Sequence, residues 1–197
     1  MANTHLRLRL TVLVVLVLAT GSGRALPAAD IPTLGPRVVL IIRHGEKPDQ
    51  TTGGEKDINL SKRGFERADA LAKVIPAHFP KPDFLIATKQ SKGSNRPVET
   101  ITPLAKALHE TIDSTCKDKD FEQVAHAVLT DPKYAGKVVL IAWHHGRIPT
   151  LAKALGAKNV PDKWDSEVFD RVWEITYKNG AATWKDVPES ALPGDSK

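Results

Sequence analysis

Val38-Val39-Leu40-Ile41-Ile42-Arg43-His44-Gly45 decides the fold, and it has a near copy in Val138-Val139-Leu140-Ile141-Ala142-Trp143-His144-His145. Each begins with five apolar residues, rich in β-branched side chains, and then turns abruptly polar. A wholly apolar run of that length is the pattern of a strand covered on both faces, as in a parallel sheet packed between helices. Laid over one another, the two runs put His44 in register with His144. If the strands are parallel neighbours, their imidazoles emerge at similar height. Successive side chains of an extended chain face opposite ways, so His144 is favoured for a shared pocket and His145 is the second candidate.

The elements around these runs alternate in type. Phe84-Leu85-Ile86-Ala87 is another buried strand. Ser61 reads as the N-cap of a helix whose apolar residues Phe65, Ala68, Leu71, Ala72 and Ile75 recur at helical spacing until Pro76 stops them. A second helix follows Asn95, with Pro97 in its first turn and Pro103 expected to kink or restart it. Phe121–Leu129 and Ile148–Leu155 read as two more. Arg171–Tyr177 alternates like a strand, and Asn179-Gly180 can turn it back through Ala181–Lys185 as a hairpin. This order predicts an α/β three-layer sandwich: a mainly parallel central sheet, helices on both faces and a C-terminal antiparallel hairpin. Ligands of such sheets lie beyond the carboxyl ends of the strands. Three polar segments fall there: Arg43–Pro48, Ser91–Arg96 and Trp143–Arg147.

Composition narrows the class. With 41% hydrophobic and 26% charged residues, the chain is neither disordered nor fibrous. Arg7 and Arg9, the apolar run Leu10–Ala19 and the small residues through Ala25 have the order of a secretory signal peptide, which sets the expected organisation. Residues 1–25 are the leader, 26–36 a linker, 37–187 one domain and 188–197 a flexible tail. The leader carries three arginines and no acid, so the mature balance is 25 Lys and Arg against 23 Asp and Glu, or +2. That field is too weak to predict nucleic acid as a partner. Cys116 is the only cysteine, so no internal disulfide forms, and nothing near it in sequence activates the thiol. His144-His145 is a poor metal pair, because adjacent strand residues diverge and no Asp, Glu or Cys cluster completes a site. No metal or cofactor is expected, and neither glycine-rich nucleotide-binding loop motif is present.

Arg43-His44-Gly45-Glu46 resembles the opening signature of the histidine phosphatase, or phosphoglycerate-mutase-like, superfamily. Leu60-Ser61-x-x-Gly64-x-x-Arg67-Ala68 is similar to its first-helix signature and Arg96-x-x-x-Thr100 to its second-arginine motif. The strand ending at His144 is similar to its second-histidine motif. The resemblance spans roughly residues 38–156. It implies that His44 is a nucleophile carrying a phosphohistidine, and that Arg43, Arg96 and His144 surround the phosphoryl oxygens. Lys92 stands where many members have serine. The proton donor to the leaving group is not evident; Glu46, Glu99, Asp113 and Asp120 are candidates. The expected activity is that of an exported, metal-independent histidine acid phosphatase-like phosphomonoesterase acting on a small phosphate ester, with no stable membrane contact once the leader is removed. The alternative is a non-catalytic phosphate- or phosphoprotein-binding module on the same fold.

Overall fold

Both apolar runs form strands buried along their whole length. In the computed structural model, which describes residues 35–48 and 57–196, these are β1 (Val38–Arg43) and β4 (Val138–Trp143). They pair in parallel with Val38 opposite Val138 and Arg43 opposite Trp143, the register that the near-duplication predicts. The other elements are α1 (Lys62–His78), β2 (Phe84–Ala87), α2 (Arg96–Leu108), β3 (Ile112–Asp113), α3 (Phe121–Thr130), α4 (Ile148–Ala154), β5 (Arg171–Lys178) and β6 (Ala181–Pro188). The sheet order is β3-β2-β4-β1-β5-β6: four parallel strands, then β5 antiparallel to β1 and β6 antiparallel to β5. The fold is therefore the expected α/β sandwich. The expected leader, residues 26–34 of the linker and residues 49–56 of the loop after Pro48 lie outside the described residues. Among the described residues no helix is long and apolar enough to cross a membrane.

Alternation along the central strands divides the core in two. Val38, Leu40 and Ile42 face Leu71 and Ile75 of α1 and Ile101 and Leu104 of α2. Val39 and Ile41, with Val139, Ile141 and Trp143, face Val124 and Val128 of α3 and Leu151 of α4. Two covered faces are the physical reason for the unbroken apolar runs. They also leave the carboxyl ends of β1 and β4 side by side at the centre of the sheet. From there the chain departs in opposite senses, through α1 toward β2 on one face and through α4 toward β5 on the other. A crevice between two such strands is where an open sheet accepts a ligand. The tryptophans pack rather than form a platform: Trp173 stacks between Trp164 and Trp184 at 5.1 and 5.2 Å, and Trp143 is fully buried.

Three local expectations are corrected. Helix α1 runs through Pro76 to His78, because a proline in the last turn forfeits a single hydrogen bond, and Phe79 N–H still closes onto the Ile75 carbonyl at 3.0 Å. Helix α2 is continuous through Pro103; the Thr100 and Thr102 hydroxyls donate to the Arg96 and Val98 carbonyls, both at 2.8 Å, and support the turns around the break. The C-terminal segment is not a loose tail. Glu189 is 1% exposed, and both it and Asp195 bind Arg67, itself 2% exposed, at 2.9–3.0 Å. A guanidinium this deeply buried requires polar partners, and α1 supplies none, so the chain end folds back to bring the Asp195 carboxylate and the Glu189 carboxyl to it. The short β3, outside any periodic pattern, is a further addition.

Glu189 also makes stability pH-dependent. Burial pushes its carboxyl from 4.5 up to about 8, against the opposing pull of Arg67. A proton held more tightly in the fold than in the unfolded chain stabilises at low pH, and that contribution is lost as pH rises from about 4.5 to about 8. Glu189→Gln keeps the shape and removes the titration. It is expected to flatten the fall in stability across that window, measured by urea unfolding at several pH values; an unchanged slope would refute the assignment.

Candidate active site

The backbone ladder carries both imidazoles into the crevice. One bond beyond β1, His44 N–H donates to the Trp143 carbonyl at 3.1 Å, so the parallel pairing extends to the first polar residue. The His44 and His144 rings meet edge to face with centroids 5.1 Å apart. His144 is thus the histidine facing His44. His145 has Arg43, Lys47 and Glu167 as charged neighbours, and its buried Nδ1 has no hydrogen-bond partner among the described residues.

His44 is 3% exposed, and its Nδ1 lies 2.7 Å from the Gly45 carbonyl oxygen. A carbonyl only accepts, so Nδ1 carries the proton and Nε2 keeps a free lone pair. Burial drives the His44 pKa down to about 2, and His144, Arg43 and Arg96 add to the effect. Burial, then Arg96, lowers that of His144 to about 4. Both rings are therefore neutral at ordinary pH. His144 Nε2 lies 3.4 Å from the Thr88 hydroxyl, which follows β2.

Helix α2 locks the turn after His44. Gly45 N–H donates to Thr100 Oγ1 at 2.9 Å, and that hydroxyl donates to the Arg96 carbonyl, so one side chain ties the His44 loop to the arginine at the helix start. On the other side Ser61 N–H donates to the Glu46 carbonyl at 2.9 Å. A side chain at Gly64 would run into that same carbonyl oxygen, and one at Gly45 would come within 3.0 Å of the Gly64 oxygen. Two glycines thus let α1 seat directly against the loop.

The cations are held in two ways. Arg43 and Arg96 are 1% and 7% exposed, and among the described residues neither forms an ion pair with a carboxylate. The Nε of each is buried without a hydrogen-bond partner among those residues. Arg96 donates to the Asp57 carbonyl at 3.2 Å. Arg67, by contrast, is surrounded by Glu46, Glu189 and Asp195. All four residues expected from the sequence at the pocket, Arg43, His44, Arg96 and His144, are brought together, and two arginines without an ion-pair partner among the described residues, beside two neutral imidazoles, suit an anion. Among the described residues no group of three or more His, Cys, Asp or Glu could hold a metal ion.

The four carboxyls considered as proton donors are already engaged. Glu46 binds Arg67 and Arg63; its carboxyl titrates below its usual value because the Arg67 contacts outweigh burial. Glu99 accepts from Leu60 N–H and the Asn95 amide. Asp113 accepts from Thr115, and Asp120 from Lys117 N–H. Sequence reasoning missed Phe169, whose ring lies 3.6 Å from the Arg43 guanidinium and 6.3 Å from the His44 ring. It belongs to an irregular loop without a periodic signal. The roles of Glu189 and Asp195 were equally hidden, since their partner is more than 120 residues away in sequence.

No curated protein matches this chain in sequence. The family model of the histidine phosphatase superfamily (branch 1) matches residues 39–118. Among solved structures, a mycobacterial glucosyl-3-phosphoglycerate phosphatase, Rv2419c, bound to inorganic phosphate aligns with a TM-score of 0.53 and 16% identity, over 79% of this chain and 98% of that one. The protein histidine phosphatase SixA complexed with tungstate aligns with a TM-score of 0.56 and 13% identity, over 77% and 97%. A phosphoglycerate mutase from Bacillus anthracis str. Sterne aligns with a TM-score of 0.52 and 18% identity, over 81% and 96%. At such identities these structures speak for the fold, while the matched segment contains β1, the Arg43-His44-Gly45-Glu46 turn, α1 and Arg96. Fold and family match agree: residues 39–118 carry the histidine phosphatase signature, and both findings support that superfamily for this chain.

Proposed function

We propose that this protein is an exported, metal-independent phosphomonoesterase that works through a phosphohistidine at His44. One observation carries the reading: the His44 ring is neutral, pinned at Nδ1 by the Gly45 carbonyl, and faced by His144 and two arginines that have no ion-pair partner among the described residues. In the proposed reaction the Nε2 lone pair attacks phosphorus and the bond to the leaving oxygen breaks. Water then attacks the phosphohistidine, releasing phosphate and restoring the imidazole. A covalent intermediate divides a difficult hydrolysis into two easier displacements. Arg43, Arg96 and His144 bind the phosphoryl oxygens and oppose the charge spreading over them. A neutral nucleophile flanked by cations suits a dianionic substrate, because the attacking group adds no negative charge of its own. Names borne by structures of the same fold, among them a phosphatase bound to inorganic phosphate, point the same way. Export rests on the leader-like pattern of residues 1–25 alone.

A second reading has its own support. The leaving oxygen needs a proton as its bond breaks, and Glu46, Glu99, Asp113 and Asp120 are all held in structural contacts. A phosphate-binding module with the same pocket and no efficient chemistry fits that fact. Binding of inorganic phosphate without turnover of any ester would select it.

Purified mature protein is expected to hydrolyse an aryl phosphate in the presence of chelator. His44→Ala should lower kcat/KM at least about a thousandfold, and Arg96→Ala about a hundredfold or more. Full turnover by the His44 variant would overturn the mechanism. Nitrogen NMR of the histidine rings gives an independent check. With both pKa values well below the ordinary 6.5, His44 and His144 should stay neutral from about pH 8 down to about pH 5, and His44 should show the Nδ1–H tautomer. Titration of His44 near pH 6.5 would refute the proposed state of the nucleophile.

A further inference from the structure

Arg43 and Arg67 are equally buried, at 1% and 2% exposure, yet the fold treats their charges oppositely. Arg67 has three carboxyl groups on its guanidinium. Among the described residues the groups that touch the Arg43 guanidinium are neutral, while Glu167 and Glu46 act on it without forming an ion pair. Its NH1 donates to the carbonyl oxygens of Ser166 and Val168, at 2.5 and 3.0 Å, and its guanidinium carbon sits 3.6 Å from the centre of the Phe169 ring. Its pKa, lowered by burial to about 10, still leaves it charged at neutral pH. Carbonyl dipoles and the negative face of an aromatic ring stabilise a cation without cancelling its charge. A carboxylate in the same place would neutralise the arginine before any anion arrived. The contacts are directional too: NH1 is drawn back toward the loop, while the buried Nε has no partner among the described residues. Phe169 belongs to the loop that leads into β5, the neighbour of β1, so its ring is placed by the sheet rather than by the Arg43 turn itself.

We propose that Phe169 is a positioning residue for phosphoryl binding: it stacks on Arg43 and, with the carbonyls of Ser166 and Val168, holds that guanidinium oriented and uncompensated at the anion site. The inference rests on the phosphoryl-binding reading of the pocket. It assigns no contact between Phe169 and the substrate; the ring acts through Arg43.

The test is calorimetric titration with inorganic phosphate of the wild type, Phe169→Leu, Phe169→Tyr, Arg43→Ala and the Arg43→Ala/Phe169→Leu double variant. Leucine keeps apolar bulk and removes the ring face. Phe169→Leu should weaken phosphate binding roughly five- to thirtyfold, the equivalent of losing one desolvated cation–ring contact. Phe169→Tyr, which retains the face, should stay within about twofold of the wild type. In the Arg43→Ala background Phe169→Leu should cost nothing further, because its effect passes through the missing side chain. Wild-type affinity in Phe169→Leu, failure of tyrosine to restore binding, or an undiminished loss in the Arg43→Ala background each overturns the proposal. The last pattern is also what a merely structural role predicts. A wild type that binds phosphate but hydrolyses no ester overturns the phosphatase reading alone, since affinity rather than turnover is measured. A wild type that binds no phosphate overturns both.

Discussion

The parallel pairing of β1 with β4 is the constraint on which the site depends. Two strands of nearly the same sequence lie side by side in zero offset, and their last backbone bond joins His44 to the Trp143 carbonyl. Because the side-chain period of a strand is two, a slip of one residue would turn His44 and His144 toward different faces and separate their rings. Burial on both faces guards against that slip, since any other register exposes β-branched side chains or drives Arg43 into the apolar core. The same hydrophobic packing that makes the sheet stable therefore sets a distance between two imidazoles.

Charge is the second organising quantity, and the molecule spends its carboxylates selectively. Glu46 lies two residues from His44, yet it points away to Arg67 and joins Glu189 and Asp195 in holding α1 and the C-terminal segment together. Its carboxylate thus pairs with Arg67 and Arg63 rather than with Arg43, and the pocket retains two arginines without an ion-pair partner among the described residues. A buried ion cluster of this kind is a poor source of net stability, because desolvation consumes most of the attraction. Its value here is geometric: with the Gly45–Gly64 contact it fixes the α1 side of the His44 loop, while Thr100 fixes the α2 side. A loop restrained from both directions presents its imidazole with little reorganisation, which is what electrostatic stabilisation of a charged transition state requires.

The near-duplicate strands were legible residue by residue, because a doubly covered strand and its polar terminus leave an unmistakable apolar-to-polar step. The Ser61 cap, the Asn179-Gly180 turn and the choice of His144 over His145 were legible for the same reason: each rests on local geometry or on period. Pro76 was misjudged as a stop, because a proline in the last turn costs its helix a single hydrogen bond, and α2 does not restart at Pro103. The tail beyond Pro188 was misjudged because Glu189 and Asp195 look like ordinary surface acids until Arg67 is seen beneath them.

By itself, then, the amino-acid order determined the sheet, its two covered faces, and which side chains stand at its carboxyl edge, since all of these follow from periodicity and short-range sterics. Tertiary structure alone decided which cations stay free and which are neutralised, that a loop more than 120 residues away cradles Arg43, and that the chain end closes over α1. Those outcomes turn on desolvation and on contacts between distant segments. Whether a buried charge meets a carboxylate or a carbonyl depends on what packing brings within reach, and no local pattern encodes that.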